Sequence, residues 1–170
     1  LSGVSAAPLA AAIGRVRDGA AATARTGVQT TVSAFCRVTD DVARDARELK
    51  PFCARIAQNG GKSFLSLAGV HVDVPDHLPD VYPDLVHAED WDAAVRACDP
   101  YISDDAITAF AREFCLYGAA EEIVERLSHV REAGADAVFL QHVGSYDLPH
   151  RLLADIADQV LPRVRENQFS

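Results

Sequence analysis

The residues best suited to metal chemistry lie in one proline-rich stretch between residues 58 and 84. Pro75, Pro79 and Pro83 recur there every four residues and exclude a continuous helix. The spacing of the histidines and aspartates in the stretch matches neither the H-E-x-x-H zinc motif nor an EF-hand loop. We therefore expect a solvated surface loop and no metal site. The residues considered as ligands are His71, Asp73, Asp76, His77, Asp80 and Asp84.

Cysteine chemistry is the second possibility. Cys36, Cys53, Cys98 and Cys115 are widely spaced and form no C-x-x-C pair. A chain of 170 residues with 49% hydrophobic residues has enough apolar sequence for a core without disulfides. The pattern predicts four buried free thiols that behave as small hydrophobic residues, with a reactive thiol as the alternative.

Charge and hydropathy exclude two classes of protein. The net charge of −9 lacks the basic footprint of a nucleic-acid-binding protein. No apolar run approaches the roughly 20 residues that a membrane-spanning helix needs.

The first twelve residues have no charged segment and are interrupted by Pro8, which makes a poor signal peptide. We expect a cytoplasmic bacterial protein, and the absence of an initial methionine suggests a natural N-terminus upstream.

A helix, a strand and a second helix account for most of the stretch from Phe114 to Arg165. The first helix follows Gly118, has apolar residues at helical spacing and ends at Gly134 as its C′ residue. Residues 137–140 form a continuous apolar run, as expected of a parallel strand covered on both faces. A loop at 144–149 leads into the last helix. This arrangement is a unit of an α/β protein.

The preceding chain repeats the alternation of strands and helices. Val28–Val38 is rich in β-branched residues and predicts a strand, and Leu1–Val4 resembles the end of another. Helices are predicted after Ser5, over Val42–Ile56, and within a loop and helical insertion at 58–113. The alternation implies a parallel sheet with right-handed crossovers. Because two complete strands cannot bury themselves on both faces, the sequence predicts part of a larger α/β barrel.

The order of four segments resembles the C-terminal half of the luciferase-like monooxygenase superfamily, whose members are flavin- or F420-dependent (β/α)8 barrel oxidoreductases. The family carries a strand, an acidic turn and an Ala/Arg helix, then F-x-x-x-G-T-P-E-E-v-x-x-r-L, A-G-a-d-x-v-x-l-q and L-P-x-v/l-R. These match Val32 to Arg44, Phe114 to Leu127, Ala133 to Gln141 and Leu161 to Arg165. One departure is Gly118-Ala119-Ala120 in place of Gly-Thr-Pro, which removes the hydroxyl of a helix cap.

The resemblance implies one partial domain over residues 1–170, the C-terminal part of a (β/α)8 TIM barrel with a helical insertion between the last two strands. Leu1–Val4 would finish strand six, and Val28–Val38 and Ala137–His142 would be strands seven and eight. Active sites of such barrels lie at the C-terminal mouth of the strands. The loops at that mouth imply five residues that contact the cofactor, which would be FMN or coenzyme F420: Ser2, Gly3, Gln141, His142 and Gly144.

The roles of these residues stay open. His142 has a pKa suited to proton transfer or to hydrogen bonding with a substrate, or it is a loop histidine without a chemical role. Gly144 lets the backbone approach a ligand or is a turn glycine. Gln141 ends an apolar run and needs a polar partner if it is buried, either the cofactor or another side chain. No catalytic residue is assigned, because the family's N-terminal half is missing.

The resemblance therefore implies a full-length oxidoreductase, acting as a homodimer on a small organic substrate, of which this chain is the C-terminal portion. One alternative is a non-catalytic shortened barrel that binds a ligand or a partner chain across an exposed apolar patch. The other is an unrelated α/β binding domain, which should have a self-contained sheet of four or more strands.

Overall fold

The computed structural model describes residues 4–78, 81–144 and 148–168, whose contacts form two compact units. The first, here called the sheet unit, comprises Leu1–Val38, Phe114–Gln141 and Arg151–Ser170. The second, the helical unit, comprises Thr39–Glu113 and His142–His150. The chain is of the α/β class, with a small parallel sheet and a majority of helix.

Among the residues that the structure describes, three parallel strands form the sheet: β1 (Thr31–Val38), β2 (Leu116–Gly118) and β3 (Ala137–Gln141). Their order is β2-β1-β3, and β1 is therefore central. The predicted strands Val28–Val38 and Ala137–His142 are both present and adjacent, although β1 begins three residues later than predicted. Within the described residues the sheet has fewer than the four strands that an unrelated binding domain should have.

Strand β2 was not predicted from the sequence. It pairs only Leu116–Gly118 with the last three residues of β1. Three residues are too few to show a period of two, and they lie between two strong helical patterns. Leu1–Val4 was predicted to be the end of strand six. Val4 packs in the core but lies outside any strand, and residues 1–3 lie outside the described residues. The strand paired with the second edge of β1 is therefore β2.

One face of the sheet packs against helices. Val32, Ala34 and Cys36 of β1 point into this core together with Leu116. The helices of the unit are α1 (Ala6–Ala22), α7 (Ala120–Glu132) and a terminal helix formed by α8 (His150–Asp155), a π-helical turn (Ile156–Val160) and α9 (Leu161–Gln168). They contribute further buried side chains, among them Leu9, Ile13, Ile123, Leu152 and Val160.

The helical unit includes residues 58–113, for which a loop and helical insertion was predicted. It is built from α2 (Val42–Asp45), a 3₁₀ turn (Ala46–Leu49), α3 (Lys50–Ile56), a π-helical turn (Ala57–Gly61), α4 (Lys62–Leu67), α5 (Trp91–Cys98) and α6 (Asp104–Phe114). Side chains cap the first turn of two of these helices. Asp41 accepts a hydrogen bond from the Arg44 N–H, and Ser103 accepts one from the Ala106 N–H. Pro51 lies in the first turn of α3, where proline is tolerated.

All four cysteines are buried free thiols, as predicted. Burial raises the pKa of Cys36 and of Cys53 to about 12, and the same effect raises the pKa of Cys98 to about 12. Since the thiolate is the reactive form, these three side chains behave as hydrophobic core residues at neutral pH.

The start of α7 is only half capped. The Glu122 carboxylate accepts a hydrogen bond from the Ala119 N–H, at 3.1 Å, but Ala119 has no side-chain oxygen to accept one from the first turn. Its extended backbone, with φ −61° and ψ 156°, is the conformation of an N-cap residue.

Ala119→Ser should therefore raise the free energy of unfolding by about 1 kcal/mol, because the hydroxyl completes the capping box. Urea denaturation followed by circular dichroism measures the change. The same substitution at Ala21, inside α1, is the control and should destabilise slightly, since serine is a poorer helix former than alanine. An unchanged or lower midpoint for Ala119→Ser would contradict the capping argument.

Among the described residues, no helix combines the length and the apolar character needed to cross a membrane.

Candidate functional site

The second face of the sheet carries side chains that are more polar and less buried than those of the core. On β1, side chains alternate between the buried Val32, Ala34 and Cys36 and a row on the opposite face, Thr31, Ser33, Phe35 and Arg37. This second row is exposed at Thr31 and half-buried from Ser33 onward. We call the surface formed by this row and its neighbours on β3 the open face.

The register of the sheet brings β3 side chains beside this row. Ser33 pairs with Phe139, and Phe35 pairs with Gln141. Phe139 is 59% exposed, although it lies in the middle of a parallel strand. The prediction that this strand is covered on both faces is wrong for the described residues. The physical reason is that the helices of the sheet unit all pack on the face that carries Val32 and its neighbours.

A hydrogen bond ties the two strands together on the open face. The Ser33 hydroxyl donates to Oε1 of Gln141 at 2.6 Å. This bond answers the expectation that Gln141 needs a polar partner, and the partner is a side chain of the neighbouring strand. Below it, the Thr30 N–H donates to the Asp136 carboxylate at 2.6 Å and fixes the beginnings of the two strands relative to each other.

The strands end at different levels. The last residue of β2, Gly118, pairs with Val38 at the end of β1, whereas β3 ends with Gln141 opposite Phe35. At a strand rise of about 3.3 Å per residue, β3 therefore stops roughly 10 Å before β1. Gln141 is thus the terminal side chain of its strand, and it lies beside the half-buried Phe35.

The other residues that the family resemblance implies for cofactor binding either lie outside the described residues or belong to the helical unit. Ser2 and Gly3 lie outside the described residues. His142 follows Gln141 directly but belongs to the helical unit. Its Nε2 atom is buried and finds no hydrogen-bond partner among the residues that the structure describes. A ligand or a water molecule with a donor or acceptor would satisfy this atom.

Gly144 makes a close approach to a side chain of its own unit. Its φ of +84° favours glycine, and a Cβ here would lie 2.8 Å from Cδ1 of Trp91. The indole is held in turn by its Nε1–H, which donates to the Glu48 carbonyl at 3.1 Å, and by Phe52, with ring centroids 5.4 Å apart. The space that glycine leaves here is therefore used by Trp91.

The acidic and histidine-rich loop has local roles where it is described. Asp84 accepts hydrogen bonds from His87 Nδ1 and from the Val86 and His87 N–H groups, which lower the pKa of its carboxyl. Within the described ranges, no three His, Cys, Asp or Glu side chains form a group able to hold a metal ion.

The open face combines an apolar ring with a polar side chain. The exposed ring of Phe139 offers a surface for packing, and the Gln141 amide beside it offers hydrogen bonding. Gln141 was predicted from the sequence as a residue of the site, whereas Ser33 and Phe139 were not. The alternation of Thr31, Ser33, Phe35 and Arg37 with small apolar residues was the available signal for this face.

Comparison with known proteins adds no assignment, since no family model and no curated protein matches the chain.

Proposed function

We propose that this chain is the C-terminal portion of a (β/α)8 barrel oxidoreductase that uses a flavin or F420, with the open face as part of the barrel interior. In such barrels the helices cover the outside of the sheet only, and the inner faces of the strands turn toward one another. The carrying observation is a parallel sheet packed by helices on one face and lined on the other by Ser33, Phe139 and Gln141.

The proposal depends on β1 and β3 rather than on β2. These two strands are adjacent, parallel and joined through α7, as strands seven and eight of a barrel would be. Strands of a closed barrel pair in chain order, whereas β2 lies between β1 and β3 in the chain and pairs with the opposite edge of β1. In the proposed barrel, β2 is therefore an additional short strand rather than one of the eight.

The role of the described residues is binding and orientation. Phe139 would pack against the ring system, and Gln141 would hydrogen-bond its polar edge while Ser33 holds the amide. The cofactor, when bound, supplies hydride transfer to or from a small organic substrate. The side chains that exchange protons with this substrate are not assigned to the described residues.

Cofactor titration tests the proposal. Protein expressed from its complete coding sequence should change the fluorescence of FMN or of F420 on binding. Phe139→Ala should weaken binding roughly fivefold, because an aromatic contact contributes about 1 kcal/mol. Phe64→Ala removes a similarly exposed ring, at 47%, from the helical unit and should leave the affinity unchanged. Failure of the wild-type protein to bind either cofactor would overturn the oxidoreductase proposal.

A second candidate is a shortened barrel without catalysis that binds a ligand or a partner chain on the same face. The exposure of Phe139 favours it, because an uncovered aromatic side chain in a sheet gains by being covered. This candidate predicts a natural protein with an intact mass near 18.3 kDa, no response to either cofactor, and loss of self-association or partner binding in Phe139→Ala. A natural mass roughly twice as large with a cofactor response favours the enzyme instead.

A further inference from the structure

The Ser33–Gln141 bond crosses the sheet diagonally. Ser33 pairs directly with Phe139, so Gln141 lies one pair further along β3. With about 4.8 Å between strands and about 6.6 Å for two residues, the backbones of Ser33 and Gln141 are roughly 8 Å apart. The extended glutamine side chain spans this distance to the serine hydroxyl. The amide of Gln141 is therefore directed back along the open face rather than away from the sheet.

The length of the bond indicates which end of the amide meets the serine. A separation of 2.6 Å falls within the O–H···O range of about 2.5–3.0 Å and below the usual N–H···O range of about 2.7–3.2 Å. The hydroxyl therefore donates to the amide oxygen, and the amide nitrogen is not its partner. Oε1 of Gln141 is thereby engaged within the protein.

The remaining polar atom of this amide is Nε2, which carries two hydrogens and can only donate. No residue that the structure describes accepts a hydrogen bond from it. It belongs to the half-buried last side chain of β3, next to the exposed ring of Phe139. The open face consequently offers a hydrogen-bond donor beside an apolar ring.

We propose that Ser33 is a positioning residue, which fixes the Gln141 amide so that the open face selects ligands presenting a hydrogen-bond acceptor, a carbonyl oxygen or an unprotonated ring nitrogen. The choice of FMN as the probe rests on the proposed function, whereas the orientation of the amide does not. A ligand that presents only a hydrogen-bond donor at this position would leave both its donor and Nε2 without an acceptor. The free-energy cost of such unpaired polar groups is what makes a polar site selective.

Two measurements test this inference. The first is the orientation of the Gln141 amide in the ligand-free protein, from nuclear Overhauser effects of its Nε2 hydrogens. Those hydrogens should lie near Phe139 and far from the Ser33 β-hydrogens, and Ser33→Ala should abolish the preference for this orientation.

The second measurement is FMN affinity. Gln141→Glu should weaken it roughly tenfold or more, since a carboxylate replaces the donor, and Ser33→Ala roughly threefold, since the amide then rotates. Gln29→Glu introduces the same charge at an exposed position before β1 and should leave the affinity unchanged.

The outcomes separate the inference from the proposed function. Nε2 hydrogens close to the Ser33 β-hydrogens would overturn the inference whatever FMN does. Wild-type binding that survives Gln141→Glu would overturn it while leaving the oxidoreductase proposal intact. If wild-type protein binds neither FMN nor F420, the proposed function is wrong, and the amide orientation alone supports or overturns the role of Ser33.

Discussion

Replacing Lys50 by alanine should lower the free energy of unfolding by about 3 kcal/mol. Lys50 is only 2% exposed, and its ammonium contacts Asp99 at 2.6 Å and Asp104 at 2.8 Å. The substitution removes the charge that compensates two carboxylates and leaves a cavity where the aliphatic stem was packed. Arg47, at 3.5 Å and 3.6 Å from the same carboxylates, keeps part of the compensation, which limits the loss.

Two further variants separate charge from packing. Lys50→Met keeps most of the buried stem and should cost about half as much as Lys50→Ala. Lys62→Ala removes an exposed lysine that lies 3.6 Å from Asp73, and it should cost less than about 1 kcal/mol. Urea denaturation measures all three. Equal losses for Lys50→Ala and Lys62→Ala would show that burial adds no stability to the Lys50 cluster, formed by Lys50, Arg47, Asp99 and Asp104.

The Lys50 cluster also implies a dependence on pH. The hydrogen bond from Lys50 lowers the pKa of Asp104 below its ordinary value of 3.8. A carboxyl with a lowered folded-state pKa stabilises the fold above the unfolded-state pKa, and this contribution is lost as pH falls through the folded-state value. The free energy of unfolding of the wild type should therefore exceed that of Lys50→Ala by the largest amount near neutral pH and by a smaller amount at pH 3.

The cluster shows why part of the fold could not be predicted from the sequence. Lys50 precedes Pro51 in a helical pattern, and nothing local marks it as buried. Its partner Asp99 is 49 residues away, and only the packing of α3 against α5 brings them together. In contrast, Gly134 was correctly placed as a helix stop because its role is local: its φ is +97°, and its N–H bonds to the Arg131 carbonyl at 2.8 Å.

In the candidate site too, local features could be predicted from the sequence and long-range contacts could not. Gln141 was identified because a polar residue at the end of an apolar run is visible in the sequence. Its bond to Ser33 depends on the register of β1 and β3, which periodicity does not fix. Gly144 was equally compatible with a ligand or a turn, and only the position of Trp91 shows what the glycine accommodates.

Gly118→Ala should destabilise the protein by about 3 kcal/mol, from backbone strain and the loss of a helix-capping hydrogen bond. Gly118 ends β2 with φ +152°, a conformation that side chains rarely adopt, and a Cβ there would collide with the Glu122 carboxylate. That carboxylate accepts the Ala119 N–H at the start of α7, so displacing it uncaps the helix.

A second glycine in the sheet unit provides the matched control for Gly118. Gly19 lies in α1, and a Cβ there would meet no atom within 4 Å. Gly19→Ala should therefore stabilise the protein by about 0.5–1 kcal/mol, because alanine restricts the unfolded chain and favours helix. Denaturation midpoints of the two variants should move in opposite directions. Adding Glu122→Ala to Gly118→Ala removes the collision but leaves both the backbone strain and the loss of the cap, so the stability should stay close to that of Gly118→Ala. Full recovery would show that the collision, and not the backbone conformation, requires glycine at the junction of β2 and α7.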